Sequence, residues 1–211
     1  MLKLNTQFTT PRTMKAPAKK AALAGQAVEL KISLRYLKPP IWRSFVVPGD
    51  IKLHRLHDVI QVAMGWTNSH LHSFGAGQQE YGMLDPDDFG GGSSETNLRD
   101  ERKHTLSDLV TKKGDKFTYI YDFGDDWVHE IKVVSVKPAD EKMKAAICLA
   151  GERACPPEDC GGFPGYLQLL ETLSDPKHPE HDSMLEWVGG DFNPEQFDLA
   201  AVNRALLGIR V

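Results

Sequence analysis

All three cysteines of the chain, Cys148, Cys155 and Cys160, fall within thirteen residues, and a thiolate is both a nucleophile and a soft metal ligand. Cys155-x4-Cys160 lies at the wide end of the spacing from which two thiolates reach one tetrahedral zinc ion. Cys148 offers a third ligand, and His70, His72 or His129 completes the set where the fold brings one of them near. The competing reading is structural: Pro156-Pro157 and Gly161-Gly162 shape a loop in which cysteine serves as a small apolar side chain. A second C-x2-C pair and a C-x-x-C redox motif are both missing from the sequence.

His70-Leu71-His72 offers a different chemistry, because residues two apart on a strand point to one face and can grip the same ion. With His129 they form a three-imidazole set suited to hydrolytic zinc or iron. Histidines on a half-buried sheet also bond to backbone or carboxylate without any metal. Asp122, Asp125, Asp126 and Glu130 crowd a turn, where carboxylates either hold Mg²⁺ or stabilise the tight backbone themselves. Gly90-Gly91-Gly92 lacks the following Gly-Lys-Ser/Thr of a phosphate-cradling loop, and no Gly-x-Ser-x-Gly or His-Glu-x-x-His occurs.

The elements that must position these groups show in the periodicity. Val28, Leu30, Ile32, Leu34 and Tyr36 alternate with polar residues, which predicts a strand that Pro39-Pro40 ends; a second covers Ile41 to Val47. Leu53, Leu56, Val59, Ile60, Ala63 and Met64 fall at helical spacing, with Gly65 placed to stop the helix. Strands are expected around 70–76, 79–83 and 116–123, a Gly-rich mobile loop over 85–100, and a short helix over 105–110. Gly124-Asp125-Asp126 turns the chain into a hairpin strand over 127–136. Tyr166, Leu169, Leu170 and Leu173 predict a helix, as do Met184, Leu185 and Val188, and Leu199, Val202 and Leu206. The expected fold is α+β, with a largely antiparallel sheet, one early helix and a C-terminal helical block.

The chain has 211 residues, 41% of them hydrophobic, enough for one substantial core. No apolar run approaches a membrane span and no cleavable leader is evident, so the expectation is a cytoplasmic protein with reduced thiols and no membrane partner. The formal charge of −4 is unevenly spread. Residues 1–26 carry Lys3, Arg12, Lys15, Lys19 and Lys20 without an acid, and read as a disordered basic leader before a domain over 27–211. Residues 151–200 hold eleven carboxylates against Arg153 and Lys177, which sets phosphate repulsion against nucleic-acid binding by the domain.

Several ordered blocks converge: Pro39-Pro40-Ile41-Trp42-Arg43, Leu56-His57-Asp58-Val59-Ile60-Gln61, Met64-Gly65-Trp66 and Ser69-His70-Leu71-His72-Ser73-Phe74. Tyr121-Asp122-Phe123-Gly124-Asp125-Asp126-Trp127-Val128-His129-Glu130, Cys155-Pro156-Pro157-Glu158-Asp159-Cys160-Gly161-Gly162 and Met184-Leu185-Glu186-Trp187 follow. Together, from about residue 27 to the end, they resemble the plasmid pRi ORF-three-like family, whose relatives occur on plasmids, as passengers of insertion sequences and in chromosomes. The resemblance implies a compact α+β domain without an established activity. Some relatives carry the label of transposon resolvase, yet this acidic domain shows neither a serine set among arginines nor a basic DNA-binding module.

The leading expectation is therefore an accessory binding domain of mobile-element origin rather than an enzyme. It would engage a protein or small ligand through Trp42, Trp66, Asp122, Asp125, Asp126 and Trp127. The rival is a metal-dependent hydrolase or nuclease using His70, His72 and His129, with Asp122, Asp125 or Asp126 in support and zinc as the candidate cofactor. A third reading assigns nucleic-acid contact to the basic leader.

Overall fold

Alternation of apolar and polar residues along Gln26–Leu34 produces strand β1, with Val28, Leu30 and Ile32 fully buried on one face. The structure, a computed structural model, describes residues 22–84, 97–139 and 143–211. Most of the expected basic leader, through residue 21, lies outside the described residues, as does the Gly-rich stretch over 85–96. Leu23 is fully buried.

The remaining strands are β2 (Trp42–Pro48), β3 (His72–Ala76), β4 (Gln79–Gly82), β5 (Leu98–Asp100), β6 (Lys116–Tyr121), β7 (Trp127–Pro138) and β8 (Ile147–Glu152). They form a single eight-stranded sheet in the order β5-β4-β3-β6-β7-β1-β2-β8. Every pairing is antiparallel except β4 with β5. The α+β class expected from the sequence holds. Two strands go beyond those expected: β5 is three residues long and β8 carries Gly151, so neither shows a clear alternation in the sequence.

Register places the apolar sets side by side: Leu30 lies opposite Phe45 on β2 and Val133 on β7, and Tyr119 lies opposite His129. Against this face packs helix α1 (Leu53–Met64), whose Leu53, Leu56, Val59, Ile60, Ala63 and Met64 are buried. Gly65, at φ 103°, ends it in the left-handed conformation and donates its N–H to Gln61. Helix α2 (Leu106–Leu109) opens on a Thr105/Asp108 capping box. The C-terminal block supplies α3 (Gly162–Ser174), α4 (His181–Trp187) and α5 (Leu199–Leu206).

Two polar devices tie the block to the sheet. Arg43, 2% exposed, donates from Nε to the Ala63 carbonyl at the end of α1 and from its terminal nitrogens to the carbonyls of Trp42, Glu152 and Arg153, while its guanidinium stacks on Phe197. On α5, the Asn203 side chain accepts a hydrogen bond from the Cys148 N–H (2.8 Å) and donates one to its carbonyl (2.9 Å), covering the β8 edge at that residue. Among the described residues, no helix is long and apolar enough to cross a membrane.

Candidate functional site

Three sequence blocks meet beyond the end of β6. Gly65 releases α1 into the Trp66–His70 segment, which is pinned to the cysteine loop: the Trp66 indole N–H donates to the Pro156 carbonyl, and the Thr67 N–H and hydroxyl both donate to Glu158 Oε1. Tyr121, at the end of β6, accepts from the Ser69 N–H and donates to Glu158. Burial, with the neighbouring Glu158 carboxylate adding to it, pushes this phenol up to about 12, so it remains a donor.

The hairpin turn supplies the third wall. Asp122 adopts φ 57°, and its Oδ1 accepts the N–H groups of Gly124 and Asp125. Asp125 in turn accepts from the Gly161 N–H at the end of the cysteine loop. The two loops approach so closely that a Cβ on Gly162 would stand 2.4 Å from the Asp125 carbonyl oxygen. Non-glycine residues with positive φ gather here, at Asn68, Asp122, Asp126 and Asp159, and such conformations persist where surrounding contacts over-determine them.

The result is an imidazole facing carboxylates. His70 Nε2 lies 3.0 Å from Asp159 Oδ1, 3.6 Å from Asp122 Oδ2 and 3.9 Å from Glu158 Oε2. The nearest of these oxygens is not placed to accept a hydrogen bond and the other two lie beyond reach, so Nε2 is buried without a partner. The ligand atoms of His70, Asp122 and Asp159 all fall within 4.8 Å of one another. His70 also borders a cleft of about 610 Å³ lined by His54, Arg55, His57, His72, Glu101 and Arg102 among others, and by none of the three carboxylates.

The family described as "Plasmid pRiA4b ORF-3-like protein" matches residues 26–201. The chain belongs to this family. Similarity to the uncharacterized protein y4hQ of Sinorhizobium fredii is 39% identity over 186 residues, 87% of this chain and 92% of that protein. The crystal structure of MM3350, a protein of unknown function from Methanosarcina mazei Go1, superposes with a TM-score of 0.73 at 34% identity, covering 83% of this chain and 97% of that one.

In this member of the ORF-3-like family, the residues singled out from sequence part company. His72 begins β3 whereas His70 precedes it on a bend, so the two imidazoles take different partners: His72 Nε2 lies 2.7 Å from Glu101 Oε2. The His72 ring stacks on His57, centroids 3.5 Å apart. His129 is fully buried on β7, edge-on to Trp66, with Nδ1 3.3 Å from the Tyr119 carbonyl. Cys148 sits on β8 with Sγ 3.5 Å from the Ser44 carbonyl. Cys155 lies near Arg43, and Cys160 near Asp125 and Asp159. None of the three cysteines belongs to the His70 group. Burial raises all three thiols, Cys155 well above the ordinary value and Cys160 to about 12, which keeps them protonated.

Of the candidate binding residues, Trp66 and Trp127 are core side chains at 6% and 2% exposure. Trp42 lies on the opposite face of the sheet, under the Lys31 ammonium and bonded to Glu152. Asp122 and Asp125 shape the site directly, and Asp126 completes the turn by donating its N–H to the Asp122 carbonyl. Glu158 and Asp159 were not singled out from sequence. Their signal was the Glu-Asp pair inside the cysteine loop, masked there by the cysteines on either side.

Two buried imidazoles contribute to the acid sensitivity of the fold. Burial depresses His129 to about 3; burial, and then His72 beside it, depresses His57 to about 4. Both are neutral in the folded chain, whereas the unfolded chain protonates near the ordinary value of 6.5. Their contribution is therefore complete above the unfolded value and is lost as pH falls from there through the folded values. Each imidazole contributes a slope of about 1.4 kcal/mol per pH unit within that window. Urea unfolding at pH 7, 6 and 5 is expected to show this fall, with His129→Phe removing one imidazole's share of the slope. An unchanged slope in the variant would count against the assignment.

Proposed function

We propose that the protein is an accessory binding domain of mobile-element lineage that engages a positively charged group on a protein or small ligand at the carboxylate cluster around His70. One observation carries the reading: Asp122, Glu158 and Asp159 converge with His70 as their only basic partner within 4.0 Å among the described residues. Carboxylates held together without a lysine or arginine favour a cation from outside. The same charge repels phosphate, which argues against nucleic acid as the ligand of this face. Three free thiols suit a reducing, cytoplasmic setting.

The test is titration of the purified chain with a fluorescent Lys/Arg-rich peptide and with its Asp/Glu-rich counterpart at two salt concentrations. The basic peptide should bind, more weakly at high salt, and about tenfold more weakly to a Glu158→Gln/Asp159→Asn variant, a change equivalent to about 1.4 kcal/mol. Equal binding of both peptides, or no effect of the substitutions, would overturn the reading.

A further inference from the structure

Resting on the reading of the carboxylate cluster around His70 as the binding site, we infer that it holds a divalent first-row cation of the Mn²⁺ or Zn²⁺ class, ligated by His70 Nε2, Asp122 Oδ2 and Asp159 Oδ1, with Glu158 beside them.

Two independent features of the buried wall support this assignment. The Asp122 side chain is only 9% exposed. Its Oδ1 is occupied by the Gly124 and Asp125 N–H groups, yet its Oδ2 has no hydrogen-bond donor among the described residues and faces His70. That oxygen is therefore left free to accept a cation. Across from it, His70 Nε2 is itself buried without a partner. A proton on His70 does not satisfy both atoms, because the Asp159 oxygen at 3.0 Å is not placed to accept it and Asp122 Oδ2, at 3.6 Å, lies beyond hydrogen-bond reach. A cation between them does, since neutral imidazole and carboxylate each present a lone pair.

The spacing fits. Metal–ligand bonds of about 2.1 Å place neighbouring ligand atoms roughly 3 to 4 Å apart. The Nε2 distances of 3.0 Å to Asp159 and 3.6 Å to Asp122 fall in that range. Backbone position is set independently of any ion, by the turn bonds of Asp122, the Asp125–Gly161 link and the Thr67–Glu158 link. One imidazole nitrogen among carboxylate oxygens suits Mn²⁺ or Zn²⁺ better than Mg²⁺ or Ca²⁺, which prefer oxygen alone. Asp159, 69% exposed, stands on the solvent side, so the ion would be reached from the surface.

Calorimetric titration of chelator-stripped full-length chain with MnCl₂ and with ZnCl₂, alongside Mn²⁺ EPR, tests the assignment. One ion per chain is expected. Asp122→Asn retains the turn acceptor and tolerates φ 57°, and Asp159→Asn is an exposed change; each should weaken uptake at least tenfold while leaving the circular dichroism spectrum unchanged. His70→Asn should do the same. Cys160→Ser should bind as wild type, and a loss there equal to that of Asp122→Asn would overturn the site in favour of thiolate ligands. Uptake indifferent to Asp122 and Asp159 would also overturn it, as would no uptake at millimolar metal. Basic-peptide binding by a chain that takes up no metal sinks the cation site and spares the binding reading; metal uptake without peptide binding supports the site and sinks that reading.

Discussion

Arg43→Met should destabilise the chain by about 4 kcal/mol, moving the urea midpoint by roughly 2 M for an unfolding slope of about 2 kcal/mol per M. Methionine keeps much of the side-chain stem and removes every donor, so the carbonyls of Ala63, Trp42, Glu152 and Arg153 lose a shared partner in the interior. Each stranded acceptor costs about 1–3 kcal/mol before relaxation, and relaxation returns part of the sum. Arg43→Lys should recover little, because a single ammonium lacks the planar fork that reaches α1, β2 and the end of β8 together. The path of the side chain is specific: a Cβ on Gly151 would stand 2.7 Å from Arg43 Cδ and from Phe197. Arg43 has no carboxylate partner among the described residues, so its charge is spread over carbonyl dipoles. An Arg43→Met chain unfolding within about 1 kcal/mol of wild type would show that solvent enters and satisfies those carbonyls.

The second large effect is expected from Gly162→Ala. At φ 65° an alanine is strained, and its Cβ would sit 2.4 Å from the Asp125 carbonyl oxygen, so the cysteine loop must withdraw from the hairpin turn. Strain of about 1–2 kcal/mol plus the lost docking should total roughly 2–4 kcal/mol. Because Glu158 and Asp159 ride on that loop, Mn²⁺ uptake should fall with stability. Gly161→Ala separates the two causes: its φ of 88° carries strain, but the nearest atom to its Cβ is Gly165 Cα at 3.5 Å. It should cost only the strain and leave uptake near wild type. Equal losses in both variants would mean that backbone conformation, not contact between the loops, holds the site.

Much of the fold was legible because it is locally encoded. The β1 alternation, the α1 stripe with Gly65 behind it, and the hairpin around Gly124 each announce themselves within a dozen residues. Strand β8 did not, since its partner β2 is about a hundred residues away in sequence, and its cysteine read more readily as chemistry than as a strand residue. His70 and Asp122 were recognisable as candidates by type and neighbourhood. Their association with Glu158 and Asp159 was not, because it depends on the cysteine loop folding onto the turn through Gly162. Trp66 and Trp127 are recognition aromatics by type alone; sheet register buries Trp127 opposite Tyr121, and the bond from Trp66 to the Pro156 carbonyl seats the segment after α1 against the same tyrosine.

The Asn203 carboxamide, bonded to both backbone groups of Cys148, imitates one residue of a ninth strand. A sheet has no intrinsic width; it stops where its last row of N–H and C=O groups is given something other than another strand. Here that terminator is carried by a helix assembled after the sheet in chain order, so the C-terminal block sets how far the β-structure extends as well as covering its face.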